Sequence, residues 1–387
     1  MKKRFVLFIS IVITISSLVL LMLSACSPVV GSSNSFETIR SAADSYVNSN
    51  KPVYLTAQQL YDKIMTGVGL SEFPITWYDP MTYTGGPIIL DIRNPSDEAD
   101  DIYPIGHIPG SIYMPWREIT SFENLNKIPR DREIVVYSDN GETGAQAAAI
   151  LNLLGYNAVN LKWGIASWTT NKNVAPERYD VDKDTMWGYG AYRLVNQAPV
   201  YNETYTLPEV NNIQSSDKAE VLRTAAENYL HTPKRTLMSA QELFERLHFS
   251  ELSAEMKQTY FNKPNNPADT IYMTPFLLDI REESAYFDGH IVDSLNIYWK
   301  NMFKVENLKR LPTDRQILVY DDTGHVSGAI SAMLNMLGYD AVSLRWGVAA
   351  WSLSLPGKNI ANDRFVEGID SKNFPFMSGY ASFVCPT

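Results

Sequence analysis

The sequence predicts an α/β protein of two similar domains, each a short, mostly parallel sheet with helices on both faces. Three observations carry this. The stretch "LNLLGYNAVNLKWGIASW" at 151–168 recurs as "LNMLGYDAVSLRWGVAAW" at 334–351, with 12 of the 18 positions identical. The offset of 183 residues is too long for a solenoid repeat and suits a duplicated domain. The run "IVVY" (134–137) is uninterrupted and apolar, the pattern of a strand buried on both faces. A glycine loop and an Ala/Leu-rich segment ending at Gly155 follow it, so strands and helices alternate as parallel sheets with helical crossovers require.

The elements run in the same order in both copies. "LTAQQLYDKI" from Leu55 and "MSAQELFERL" from Met238 read as helices with a threonine or serine N-cap. Irregular aromatic insertions come next, "EFPITWYDPMTYTGG" (72–86) and "MKQTYFNKPNNPADTIYMTPF" (256–276). Their aromatics either form an exposed recognition surface or cover the sheet edge and the domain interface. Then come the buried strands "PIILDIR" and "PFLLDIR", the loops Gly106-His107-Ile108 and Gly289-His290-Ile291, and the short strands "SIYMPW" and "SLNIYW". The strand, glycine loop and helix around Gly141 and Gly324 follow, then "AVNL" and "AVSL" as further strands, and a Trp-Gly turn into a last short helix. The first copy has five extra residues between "DIR" and "GHI", among them the acidic run 96–101, "SDEADD".

These marks divide the chain into a leader (1–25), an N-terminal tether (26–49), a first domain (50–175), an extension and linker (176–225), a second domain (226–355) and a C-terminal extension (356–387). "MWGYGAYRLV" (186–195) and "FMSGYASFV" (376–384) are loosely alike, so each copy is expected to carry an extension that packs back on its own domain. The alternative is that 196–220 is a flexible linker.

The leader decides the expected compartment. A basic "MKKR", an uncharged apolar run from Phe5 to Leu23 and "LSAC" (23–26) form an export signal with small residues before a cysteine. An uncleaved membrane anchor is the other reading. The net charge of −10 becomes −13 when Lys2, Lys3 and Arg4 leave with the leader. An acidic chain without a Lys/Arg cluster is a poor nucleic-acid binder. Cys26 and Cys385 are the only cysteines, so a modified Cys26 leaves no intrachain disulfide and the apolar core must hold the fold. Neither the acidic runs nor the five histidines have the spacing of a calcium, zinc or iron site, so no metal or other cofactor is expected.

Taken together, "DIR", "GHIPGSIYMPW", "IVVY" with its glycine loop, and "LGYNAVNLKWGIASW", twice and in order, resemble the rhodanese family of sulfurtransferases. The leader likewise resembles a bacterial lipoprotein signal, which implies that Cys26 is acylated and anchors the chain in a membrane lipid bilayer, with the domains outside the cytoplasm. The resemblance implies that His107 is structural. Asp91 with Arg93, and Asp279 with Arg281 beside His290, read as polar residues that hold the fold.

Active members of that family open the loop after this strand with a cysteine, in the pattern C-x-x-G-x-[RT]-[SG], and carry sulfur on it as a persulfide. The chemistry needs a thiolate stabilised by loop amides and a helix N-terminus. Here the first loop is "SDNGETG" and the second "DDTGHVSG". Ser138 and Asp321 stand where the cysteine would be, while Gly141, Gly144, Gly324 and Gly328 keep the loop glycines. Neither replacement can carry a persulfide, and no base stands beside Ser138 in the sequence. Asp321 is expected to accept hydrogen bonds from its own loop as a built-in anion. The sequence therefore points to a non-catalytic tandem rhodanese-like lipoprotein of the cell envelope that binds a protein partner or small ligand, with a link to envelope sulfur or redox metabolism by family association. The alternative is sulfur transfer through an unconventional site, for which Cys385 is the available thiol.

Overall fold

The computed structural model describes residues 32–93, 102–180, 184, 194–210, 213, 215–248, 274–352 and 364–379. Cys26, Cys385, the acidic run 96–101 and most of the second aromatic insertion lie outside the described residues. Among the described residues no helix is long and apolar enough to cross a membrane.

The first described element is a helix, α1 (Ser32–Val47), inside the stretch expected to be a tether. Phe36, Ile39, Ala43 and Val47 recur at spacings of three and four residues and are buried. The Ser/Asn-rich start of this helix hides that periodicity. Its counterpart α5 (Lys218–Leu230) begins inside the stretch expected to be extension and linker, runs across the expected boundary at 226, and buries Val221, Leu222, Ala225, Ala226 and Tyr229. "RSAADSYV" (40–47) and "RTAAENYL" (223–230) match at the same 183-residue offset, so each structural unit begins before the boundaries at 50 and 226.

In the first unit β1 (Tyr54–Leu55) leads into α2 (Ala57–Val68). Thr56 caps α2 in a full capping box: its side chain accepts from Gln59 N–H while the Gln59 side chain accepts from the Thr56 N–H. The strands β2 (Ile88–Asp91), β3 (Ser111–Tyr113), β4 (Glu133–Tyr137) and β5 (Asn157–Leu161) complete a parallel sheet of order β1-β5-β4-β2-β3. Helix α3 (Glu142–Leu153) follows β4, and Gly155 closes its end at φ 89°. Short helix α4 (Gly164–Trp168) follows β5.

The second unit repeats the plan with β6 (Leu237–Met238), α6 (Ala240–Leu247), β7 (Phe276–Asp279), β8 (Ser294–Asn296), β9 (Ile317–Tyr320), α7 (His325–Met336), β10 (Ala341–Leu344) and α8 (Val348–Trp351). Its parallel order is β8-β7-β9-β10-β6, the mirror listing of the first sheet. Ile134–Tyr137 and Ile317–Tyr320 are inaccessible to solvent, as strands covered on both faces must be.

The units share their core. Helices α3 and α7 make the most extensive packing contact between non-neighbouring elements. Their small side chains, Ala147, Ala148, Ala329 and Ala332, let the helices approach closely. Helices α1 and α5 flank this pair and bridge the units. Arg40 on α1 donates to the Phe303 carbonyl of the second unit at 2.9 Å, and Arg117 of the first unit donates to the Leu230 and Thr232 carbonyls at the end of α5. Tyr229 donates to Gln146 Oε1 at 2.5 Å.

The extensions also cross, against the expectation that each packs on its own domain. Leu194–Val195 pairs antiparallel with His290–Ile291 of the second unit, and Tyr205 N–H donates to the Lys309 carbonyl. The C-terminal segment 364–379 lies along the first unit. Met377 and His107 exchange backbone hydrogen bonds at 2.9 Å, and Phe374 N–H donates to the Trp168 carbonyl. The Trp168 indole N–H donates to the Pro375 carbonyl, and Phe374 stacks on Tyr61 at 4.5 Å. In both units the backbone of the "GHI" loop thus pairs with the extension of the other copy.

Candidate functional site

The candidate site lies where the two glycine loops meet, at the C-terminal ends of β4 and β9. In the first loop the Ser138 hydroxyl oxygen accepts from Gly141 N–H at 3.0 Å and Gly144 N–H at 3.2 Å. Ser138 is 3% exposed. The cradle of amides at the start of α3 is thus occupied by the loop's own hydroxyl.

In the second loop Asp321 fills the same place. Oδ1 accepts from Gly324 N–H at 2.6 Å and from the Ser327 hydroxyl at 2.9 Å, and Oδ2 accepts from Val326 N–H at 3.1 Å. Burial pushes this carboxyl up from its ordinary range, and the donors from Ser327, Gly324 and Val326 pull it back down. As the sequence anticipates, the aspartate accepts hydrogen bonds from its own loop at the helix N-terminus. The Ser327 hydroxyl lies 2.8 Å from Ser343 Oγ, beneath the loop. The equivalent place in the first unit holds Gly144 and Asn160, and the buried Asn160 amide has no partner among the described residues.

The loops also plug one another, which the sequence did not suggest. Glu142, four residues after Ser138, reaches the second unit beside Gly324, where its Oε1 accepts from Trp346 N–H, in the Trp-Gly turn after β10, at 2.5 Å. Its Oε2 accepts from Asn140 Nδ2 at 2.6 Å. His325, four residues after Asp321, reaches the first unit beside Gly141, where Nε2 accepts from Trp163 N–H, in the Trp-Gly turn after β5, at 3.1 Å. Both side chains are inaccessible to solvent. Gly141 and Gly324 are required here: each has φ near 86°, a Cβ on Gly324 would stand 2.0 Å from Glu142 Oε1, and one on Gly141 2.9 Å from His325 Nε2. Gly328 is packed against the Glu142 backbone. The rings of Trp163 and Trp346 lie 5.8 Å apart at the centre of this contact. The one trace of the plug in the sequence is that Glu142 and His325 occupy equivalent positions in units otherwise closely alike.

The other motif residues form a separate buried network, repeated in both units. Arg93 pairs with Asp91 through Nε–Oδ1 at 2.9 Å and a terminal nitrogen to Oδ2 at 2.6 Å, and donates to the carbonyls of Gly106 and Val174. The Tyr137 hydroxyl donates to Asp91 Oδ2 at 2.6 Å and accepts from Ile108 N–H. His107 Nδ1 lies 3.0 Å from the Tyr103 carbonyl, and its ring stacks on Tyr103. Burial lowers the His107 imidazole. Asp279, Arg281, Ile291, His290 and Tyr286 repeat the arrangement, except that the Tyr320 hydroxyl donates to Ser294 Oγ at 2.9 Å and Arg281 also faces Asp322 at 3.5 Å. These groups fasten the "GHI" loop to the central strands, and both carboxylate–guanidinium pairs are buried. Asp139, the second residue of the first loop, faces the Asp91–Arg93 pair, and burial raises its carboxyl to about 7.

Three chemical conclusions follow. Neither loop contains a cysteine. The amides that would stabilise a thiolate or a bound anion are already engaged. The loops face each other rather than an open cleft. Among the described residues no group of histidine, cysteine and acidic side chains is placed to hold a metal.

Comparison with known proteins gives a consistent result. A family model described as rhodanese-like domain matches the chain twice, at residues 76–171 and 258–354. A sulfurtransferase from Allochromatium vinosum is 36% identical over 93 residues, which are 23% of this chain and 80% of that protein. The probable adenylyltransferase/sulfurtransferase MoeZ of Mycobacterium tuberculosis is 34% identical over 90 residues, 23% of this chain but only 21% of that protein. Among solved structures, a thiosulfate sulfurtransferase from Pseudomonas aeruginosa aligns with 84% of this chain and 49% of its own, at 15% identity and a TM-score of 0.25.

Proposed function

This chain belongs to the rhodanese-like domain family, with two such domains, and we propose that it is a non-catalytic member, anchored by an acylated Cys26 at the cell envelope and holding a protein partner or small ligand there. One observation carries the non-catalytic reading. At both places where the family's sulfur chemistry needs a free thiolate over free amides, an oxygen of Ser138 or Asp321 has taken the amides, and the opposite domain covers the loop. A persulfide has neither an atom to form on nor an entrance for its donor. The anchoring rests on the leader, with its basic start, apolar run and "LSAC".

The test is thiosulfate:cyanide sulfurtransferase turnover by residues 27–387, beside Ser138→Cys. The expected result is no turnover by either protein, since restoring the thiol leaves the plug of His325 in place. Turnover by the unmodified chain overturns the reading, and its loss in Cys385→Ala would trace the activity to the tail. Anchoring is tested separately: Cys26→Ser should move the full-length protein from the membrane to the soluble fraction. Unchanged membrane retention would favour an uncleaved transmembrane anchor.

A further inference from the structure

We propose that the edge of the second unit at residues 300–310 rests on the bilayer and holds anionic lipid headgroups. The inference rests on the acylated Cys26 of the proposed function and adds which face of the protein meets the membrane.

The length of the tether limits the choice of face. Five residues, 27–31, separate Cys26 from Ser32, the first residue of α1. Six steps from Cα to Cα span at most about 20 Å, whereas a folded chain of this length is about 50 Å across. The bilayer therefore lies on the side of the molecule where α1 starts, and the opposite side is out of its reach. Arg40 shows what stands on that side. It lies eight residues after Ser32, about 12 Å along the helix, and donates to the Phe303 carbonyl at 2.9 Å. Glu306 faces the same guanidinium, and Trp299–Asn301 packs on the same helix.

The charge of this edge separates it from its twin. Residues 300–310, "KNMFKVENLKR", carry Lys300, Lys304, Lys309 and Arg310 against Glu306, a local charge of +3 in an acidic chain. The equivalent stretch of the first unit, 117–127, "REITSFENLNK", has two bases and two acids. The whole difference lies at three positions: Asn301, Lys304 and Lys309 stand where the first unit has Glu118, Ser121 and Asn126. Lys304 and Lys309 are exposed, and so is Val305 between them. The neighbouring acids are engaged. Glu37 pairs with Arg40 at 2.5 Å, and Glu203 accepts from the Tyr205 hydroxyl, which Arg315 also faces. The twin edge lies along α5 instead, where Arg117 donates to the Leu230 and Thr232 carbonyls. The basic edge is thus the one beside the tether. An anionic surface attracts each basic side chain near it about fivefold, and a basic patch is a second membrane signal beside a lipid chain. The acyl chains retain the protein, and the edge orients it.

Lipidated full-length protein carrying Cys385→Ser, reconstituted in vesicles, tests this by energy transfer from a dye on one introduced thiol to acceptor-labelled headgroups. Val305→Cys and Phe122→Cys are the paired sites, since residues 305 and 122 are equivalent and both exposed. In vesicles containing phosphatidylglycerol, transfer should be strong from residue 305 and weak from residue 122. Lys304→Ser with Lys309→Asn, the first unit's own residues, should lower the ratio of docked to undocked protein about fivefold for each lysine and about 30-fold together. Vesicles of phosphatidylcholine alone should abolish the difference between the two sites. Equal transfer from both sites in the anionic vesicles overturns the orientation. A preference for residue 305 that survives the double substitution or the neutral vesicles overturns the headgroup contact. Protein that fails to float with either kind of vesicle shows instead that Cys26 is not acylated, and the docking falls with the anchor.

Discussion

Replacing Gly324 by alanine tests the loop-to-loop plug most directly, because the structure contains its own control. Gly324 (φ 87°) and Gly69 (φ 67°, closing α2) both have left-handed backbone. A Cβ at Gly69 meets nothing within 4 Å, so Gly69→Ala should cost only the left-handed conformation, about 1–2 kcal/mol. A Cβ at Gly324 stands 2.0 Å from Glu142 Oε1, far inside contact distance. The Glu142 side chain is flexible, but moving it abandons the Trp346 N–H and leaves a buried donor unpaired, a further loss of about 1–3 kcal/mol. Gly324→Ala should therefore cost about 2–5 kcal/mol in all. The assay is urea unfolding of residues 27–387 followed by tryptophan fluorescence, with the variants compared at equal m-value. In a Glu142→Ala background the excess should vanish, because the colliding carboxylate is gone. If Gly324→Ala costs no more than Gly69→Ala, or if its excess persists without Glu142, the two loops do not meet as described.

Three other outcomes are expected. Arg93→Met should destabilise the protein by about 3–5 kcal/mol in urea unfolding, because it strands the Asp91 carboxylate in a site without solvent, and Arg281→Met should do the same for Asp279. Thr56→Ala should cost about 1 kcal/mol by the same measurement, since it removes the capping box of α2, while Gln58→Ala on the exposed face of the same turn should be near neutral. A chain ending at residue 363 should melt at a lower temperature and show red-shifted tryptophan emission. The C-terminal segment supplies the Trp168 indole with its acceptor at Pro375 and covers Tyr61 with Phe374. Emission unchanged from the full chain would mean that the segment does not cross onto the first unit.

What could be read from the sequence is what is encoded locally. The duplication, the strand runs Ile134–Tyr137 and Ile317–Tyr320, and the caps Thr56 and Ser239 depend on neighbours a few residues away, and each appears where its pattern places it. The absence of a thiol at residues 138 and 321 is a matter of residue identity and needs no structure. The in-loop acceptance by Asp321 was also legible, because its donors Gly324, Val326 and Ser327 lie within six residues.

Tertiary structure decided the rest, since it depends on contacts between residues far apart in the chain. The apolar stripe of α1 has the right spacing, but what it packs against is the end-to-end pairing of two units, which no local pattern encodes. The crossing of the extensions is of the same kind: "MWGYGAYRLV" and "FMSGYASFV" show their likeness in sequence but not their destination. The plug is the clearest case. Glu142 meets Trp346 and His325 meets Trp163 across 204 and 162 residues of chain. Taken alone, either is an ordinary polar residue at a helix start. They become buried and coupled only because α3 and α7 bring the two loops together.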